Sequence, residues 1–200
     1  MEKKSFFNQN AISIMAAVVS MCALILSFYQ TSIMREQQYA SVRPLLIVGN
    51  SMDSNVDSTG RSELFIWNRG IGPALIKYVD IQYKGKHYSE YEFQNVMRLM
   101  LNIKDTTVLI PTMVSTATAA PIAASEEIKM IDIQDKKICY LFNQAYFKAG
   151  NSGELDITIY FSDVYDRLFK TSLRSHKILP TTKAEIEAVV APRVRAFMDL

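Results

Sequence analysis

The sequence predicts a mainly β fold with inserted helices (α+β): an antiparallel sandwich set behind an N-terminal transmembrane helix. Three observations carry that expectation. No charged residue occurs from Ser5 to Met34, whereas charges are spread evenly afterwards. Several runs after Pro44 repeat their apolar residues with a period of two, the period of a strand with one buried face. Helical patterns interrupt those runs, but without the regular strand–helix alternation of a parallel sheet.

Ala11–Tyr29 reads AISIMAAVVSMCALILSFY, nineteen residues without a charge. At the α-helical rise they span about 28 Å, close to the ~30 Å hydrocarbon core of a bilayer. Eight of them are Ile, Leu, Val or Phe, each favouring insertion by about 0.3–0.6 kcal/mol. Ser13, Ser20 and Ser27 cost little, because a hydroxyl can bond back to a helix carbonyl. A cleaved signal peptide would have a shorter apolar core, about 7–15 residues, and small residues around the cut. Here Phe28, Tyr29 and Gln30 follow. A buried core helix is the other alternative, and few soluble helices are apolar on every face.

The expected order is therefore a short basic tail (1–10), the spanning helix (11–29), a helical stalk (30–43) and a soluble domain (44–200). Pro44 should end the stalk, since proline disfavours helix in the residue before it. Lys3 and Lys4 precede the span while Arg35 and Arg43 follow it, so the positive-inside count is tied. The short basic tail favours the N-terminus inside and the domain outside the cytoplasm.

Of 22 basic and 20 acidic residues, four basic and two acidic fall before Pro44, leaving 18 of each in the domain. A neutral domain without a basic run gives no electrostatic footprint for nucleic acid. Cys22 lies in the apolar run and Cys139 far outside it, so no intrachain disulfide is expected.

Within the domain, Leu45–Val48 is a short apolar run. Leu64–Trp67 is apolar at every position, as in a strand covered on both sides. Ala74–Tyr83 places Leu75, Val79, Ile81 and Tyr83 on one face, and Lys84-Gly85-Lys86 reads as a tight turn. In the clearest hairpin Leu155, Ile157, Ile159 and Phe161 alternate with Asp156, Thr158 and Tyr160, and the period resumes at Phe169, Thr171 and Leu173. That pattern buries one face and leaves the other wet. Thr106–Pro111, Val114–Thr118 and Glu127–Ile133 are weaker strands. Ser51–Ser62 is a polar loop.

Ser89 and Glu92 form a capping box before Phe93, Val96, Met97, Met100 and Leu101, predicting a helix over 90–102. A second helix is expected at 136–148, with Ile138, Leu141, Phe142 and Ala145 at helical spacing and Gly150 beyond. Thr182 and Glu185 cap a C-terminal helix that Pro192 should break or kink. Antiparallel strands with helical excursions point to a sandwich of immunoglobulin-like type.

Asn68-Arg69-Gly70-Ile71-Gly72-Pro73-Ala74, between two strands, and Tyr160-Phe161-Ser162-Asp163-Val164-Tyr165-Asp166 carry a resemblance. With the anchor and Ser41-Val42-Arg43-Pro44, the chain resembles a group of uncharacterised bacterial single-pass membrane proteins with an immunoglobulin-like sandwich after the span. The resemblance implies that fold, an inner-membrane anchor and no particular activity.

Gly70 and Gly72 could cradle a phosphate only ahead of a helix N-terminus. A strand follows instead, and Pro73 lacks an N–H, so Asn68, Gly70, Gly72 and Pro73 are read as a structural turn needing positive φ. Asp163 and Asp166 are read as hairpin-turn residues bonding the local backbone. His87 and His176 lack metal-spaced partners, so no metal site is expected. No Gly-x-Ser-x-Gly or His-Glu-x-x-His motif occurs, and no catalytic or cofactor-binding residue is nominated. Tyr78, Tyr83, Tyr88, Tyr91 and Tyr160 are expected around the core edge. The expected partners are the lipid bilayer and a protein, which can be a second copy. The expected function is membrane-tethered binding or scaffolding, against the alternative of a cytoplasm-facing sensor for a small ligand.

Overall fold

In a computed structural model the described residues are 3–52, 60–103 and 121–198. The chain divides into two units, residues 1–41 and 42–200. The first is a single helix, α1 (Lys3–Ser41), of 39 residues and so about 58 Å long. It absorbs the expected span and most of the stalk. Its Ala11–Ser41 part is long and apolar enough to cross a membrane, and none of it is buried within the chain. Ser20 and Thr31 return their hydroxyls to the carbonyls of Ala16 and Ser27, both at 2.8 Å. The helix ends at Ser41, earlier than the stop expected from Pro44.

Along the second unit follow β1 (Leu46–Met52), β2 (Ser62–Asn68), β3 (Ala74–Tyr83), β4 (Lys86–Ser89), a 3₁₀ turn (Glu90–Glu92) and α2 (Phe93–Leu101). Then come β5 (Pro121–Ile122), β6 (Glu127–Ile133), α3 (Lys136–Ser152), β7 (Leu155–Ser162), β8 (Leu168–Ser172), β9 (Leu179–Pro180) and α4 (Lys183–Met198). The strands expected at Thr106–Pro111 and Val114–Thr118 lie outside the described residues, as does most of the Ser51–Ser62 loop. Its ends belong to β1 and β2.

Two open antiparallel sheets result. One has the order β1-β2-β6; the other runs β4-β3-β7-β8-β9, with β5 also paired to β3. Residues of both sheets join one buried cluster: Leu64, Ile66 and Ile131 from the small sheet; Val79, Ile81, Ile157, Ile159 and Phe161 from the large. Phe93, Val96 and Met97 of α2 and Phe142 of α3 close it. Burying side chains of this size is worth about 1.5–3 kcal/mol each.

Where sequence periodicity and structure part, the cause is local. A bulge between Ile76 and Tyr78 shifts the phase of β3. Ala74 and Ile76 point inward before it, and Val79, Ile81 and Tyr83 after it, so Leu75 leaves the expected face. In β7 the outer face is not wet along its whole length. Tyr160 and Ser162 are buried as well.

The β3–β4 turn is tight, with positive φ at Lys84 (51°) and Gly85 (75°), as a two-residue type I′ turn requires. At the capping box, Glu92 Oε2 accepts the Ser89 N–H at 2.8 Å. Asn102 stops α2 in the left-handed region. Asp135 caps α3 by accepting from the N–H groups of Lys137 and Ile138, both at 2.9 Å. The helix runs through Gly150 and stops at Gly153 (φ 71°). Its buried residues are Cys139, Phe142, Tyr146 and Ala149, rotated from the expected stripe, and Leu141 is 40% exposed. In α4 only half of the expected capping box forms: Thr182 accepts the Glu185 N–H at 3.3 Å. The Glu185 carboxylate turns instead to Thr181 and Lys170. Helix α4 continues through Pro192 without the expected break.

Candidate functional site

The sequence nominated β2 as a strand covered on both faces. The structure buries one face fully and the other in part. Ser62, Leu64, Ile66 and Asn68 point into the core; Glu63, Phe65 and Trp67 point outward and are half-buried. Phe65 lies across Gly49, so near that a β-carbon there would meet its ring at 2.7 Å. The guanidinium of Arg69 stands 4.1 Å from the Trp67 ring centre, a cation–π arrangement. Ile47 pairs with Trp67 in register and completes an apolar centre.

A charged rim surrounds that centre. Lys129 reaches Glu63 at 2.7 Å. Arg61 grips Asp132 through two bonds of 2.9 and 2.7 Å, and this hydrogen bond holds the Asp132 carboxyl below its ordinary range. Glu127 lies opposite Trp67 in register. An aromatic and arginine centre within a polar rim is the composition of a protein interface. Periodicity alone marked these positions as covered; it could not say by what.

A polar pocket of about 250 Å³ opens on the large sheet, lined by Thr158, Tyr160, Lys170, Ser172, Ser175 and Lys177, among others. Lys170, on its wall, is ion-paired with Glu185. Burial first, and then the nearby charges of Asp80 and Glu185, push the Tyr160 phenol above its ordinary value. Tyr78 stacks obliquely on Tyr160, with centroids 6.3 Å apart.

Beside it, His87 Nδ1 lies 2.9 Å from Asp80 Oδ2, which is buried while the imidazole is half-exposed. Desolvation raises the Asp80 carboxyl above its ordinary range, against the lowering influence of His87. Ser62, Cys139 and Asn143 form a buried chain, with Ser62 Oγ 2.8 Å from the Cys139 sulfur and 2.6 Å from Asn143 Oδ1. Both cysteines are free. Among the described residues no group of three His, Cys, Asp or Glu could hold a metal.

The two motifs read as turns are structural, for partly different reasons. Asn68 is wholly buried and joins four backbone groups. Its amide donates to the carbonyls of Gly72 (2.8 Å) and Ile122 (3.0 Å), and its oxygen accepts from Leu45 (3.2 Å) and Gly70 (3.0 Å). Neither Gly70 nor Gly72 has positive φ, contrary to expectation. Close approach demands them: a β-carbon on Gly70 would sit 2.5 Å from the Arg43 carbonyl oxygen. Pro73 follows in the same turn and is half-buried.

At the other turn Asp163, fully buried, accepts from the N–H groups of Tyr165 and Arg167 at 2.9 Å and from the Arg167 guanidinium at 2.6 Å. Asp166 contributes a left-handed backbone (φ 57°) and pairs with Lys77 at 3.5 Å. Of the tyrosines, Tyr83 and Tyr160 are buried, Tyr78 and Tyr88 half-buried, and Tyr91 is exposed. No protein-family model, no curated protein and no solved structure matches this chain.

Proposed function

We propose that α1 anchors the chain once in a bilayer and that the following domain, an immunoglobulin-like sandwich, is a binding or scaffolding module. It works through protein contacts at the membrane surface and performs no catalysis. One observation carries the reading: β2 is apolar on both faces, one fully buried and the other, with Phe65 and Trp67, only half-buried. A strand of that composition is ordinarily covered twice. A partner completes that half-cover, and Trp67, Phe65 and Arg69 are the residues that meet it. The anchor belongs to a bacterial inner membrane, with the domain on its outer side.

A photo-crosslinking side chain at position 65, in the full-length protein in cells, tests this. It should give one discrete adduct that Trp67→Ala abolishes. Purification in mild detergent without any stable partner, including a second copy, refutes it. A topology reporter fused after Leu200 reads the side of the membrane.

A second reading is favoured by the polar pocket. In it the domain faces the cytoplasm and senses a small ligand held by the hydroxyls and lysines around Tyr160. Thermal-shift screening against nucleotides and inorganic phosphate decides between the two, since only the sensor should be stabilised.

A further inference from the structure

Helix α3 is apolar on two sides. Cys139, Phe142, Tyr146 and Ala149 are buried. The opposite stripe carries Tyr140 (64% exposed), Leu141 (40%) and Phe147 (55%), and neighbouring α2 adds Leu99 (56%). A surface helix ordinarily turns polar residues to water on that side. Contiguous exposed apolar surface of this kind marks a contact.

The charges carried by the two helices themselves have one sign, with Asp135 at the α3 cap and Glu154 just beyond the helix as the nearby carboxylates. Helix α3 carries Lys136, Lys137 and Lys148 and no acidic residue, and all three lysines are exposed. Helix α2 carries Arg98 and no acidic residue. Lys84 and Lys148 line a groove of about 390 Å³ between the two helices, where Glu154 is the one carboxylate. The bias is local, because residues 44–200 are neutral as a whole. Exposed Tyr and Phe with lysines at both ends of a helix match a bilayer interface, where rings lie at headgroup depth and ammonium groups meet phosphate.

The anchor supplies the second argument. Beyond the Ala11–Tyr29 span, α1 continues through Gln30–Ser41, twelve residues and about 18 Å. The headgroup layer takes up about 5–8 Å of that on each side of the hydrocarbon. The stalk therefore ends about 10 Å from the lipid surface, within the reach of a small domain. Tethering holds that surface at an effective concentration of order millimolar, so weak contacts suffice.

We infer that the outward face of α3, with Leu99 of α2, rests on an anionic lipid surface through Tyr140, Leu141, Phe147 and the three α3 lysines. The inference rests on α1 being a membrane anchor. It adds a lipid contact by the domain itself, separate from the β2 face.

The test uses the full chain in nanodiscs of phosphatidylcholine, with and without phosphatidylglycerol. An environment-sensitive fluorophore is placed at Phe147→Cys, or at Val164→Cys on the β7–β8 turn as a control, in a Cys22→Ser background. The expected result is a blue shift at 147 in anionic discs, with quenching by spin-labelled lipid about threefold stronger than at 164. Replacing any one of Lys136, Lys137 or Lys148 by Gln should lower the docked-to-free ratio about fivefold.

Equal responses at 147 and 164 in both discs overturn the inference. So does a shift at 147 that appears only when two copies share a disc, because the occupant is then a second copy. Alkaline carbonate extraction of the same protein from vesicles separates the two failures. Release from the vesicles overturns the anchor and this inference together; retention with a silent probe overturns this inference alone.

Discussion

The backbone of Gly72 lies so close to Val42 that a β-carbon on the glycine would sit 2.8 Å from the Val42 Cα and nearer still to its carbonyl. This packing pins the first residues of the domain to the β2–β3 turn. Gly72→Ala should therefore destabilise the domain by about 3 kcal/mol, the upper end of overpacking costs. Gly85→Ala makes the contrast. It has left-handed backbone and nothing within 4 Å, so only the conformational cost applies, about 1–2 kcal/mol. Urea midpoints of the two variants measure the difference, and equal losses would show that close approach is not the cause.

Asn68 gives a chemical version of the same test. Its donors and acceptors are all used, on buried backbone groups that have few substitutes. Asn68→Ala should cost about 3–4 kcal/mol, since each buried group left unsatisfied costs about 1–3 kcal/mol. Asn68→Asp keeps the acceptor but cannot donate to Gly72 and Ile122, and should be no better than Ala at neutral pH. Full stability in Asn68→Asp would mean that the two donated bonds contribute nothing.

Asp163→Asn should cost about 1–3 kcal/mol, because it replaces the buried carboxylate oxygen that accepts from the Arg167 guanidinium with an amide nitrogen that cannot accept. Asp166→Asn, exposed and with a backbone that Asn tolerates well, should change the unfolding midpoint little. Comparable losses in both would contradict the division of labour seen in this turn.

The Asp80–His87 pair predicts a pH slope of definite sign. Desolvation raises the Asp80 carboxyl in the folded state above its ordinary value of 3.8. The folded protein then holds this proton more tightly than the unfolded chain. Between the two values stability falls as pH rises, and it levels off above the raised one. Asp80→Asn should flatten that fall, seen as the difference between unfolding midpoints of variant and parent from acid to neutral pH. Glu185 acts oppositely: the hydrogen bonds from Lys170, first, and Thr181 hold it low, so its contribution is lost on acidification. In Glu185→Gln that acid-side loss should shrink. A difference curve of the reverse sign for either residue would refute the assignment.

The sequence made the strands legible where packing is regular and hid them where it is not. Leu64, Ile66, Ile157 and Ile159 announce β2 and β7 because burial on one face imposes period two. The bulge at Lys77 carries no such signal, so Leu75 was assigned to the wrong face. Gly150 resembled a helix stop, yet Gly153 is the residue in left-handed conformation; composition cannot tell which of two nearby glycines adopts it. Gly70 and Gly72 were recognised as a turn, but their reason lies in Arg43 and Val42, a contact no local pattern encodes. For the candidate interface, Leu64–Trp67 read as a strand covered on both sides; that its outward face is only half-buried is a tertiary fact. Neither the pocket around Tyr160 nor the Asp80–His87 pair was foreseen: Asp80 and His87 lie only seven residues apart on one hairpin, but polar side chains in a strand pattern do not announce that they meet.

The hub at Asn68 also constrains how the protein is made. Its side chain ties residues 23 positions before it and 54 after it, so this knot cannot close until Ile122 has left the ribosome. By then α1 has long since emerged and can already reside in lipid. The nascent domain thus waits, half-built and with β2 unpaired on its β6 side. Long-range closures of this kind are slow steps, and quality control would meet this chain in that interval.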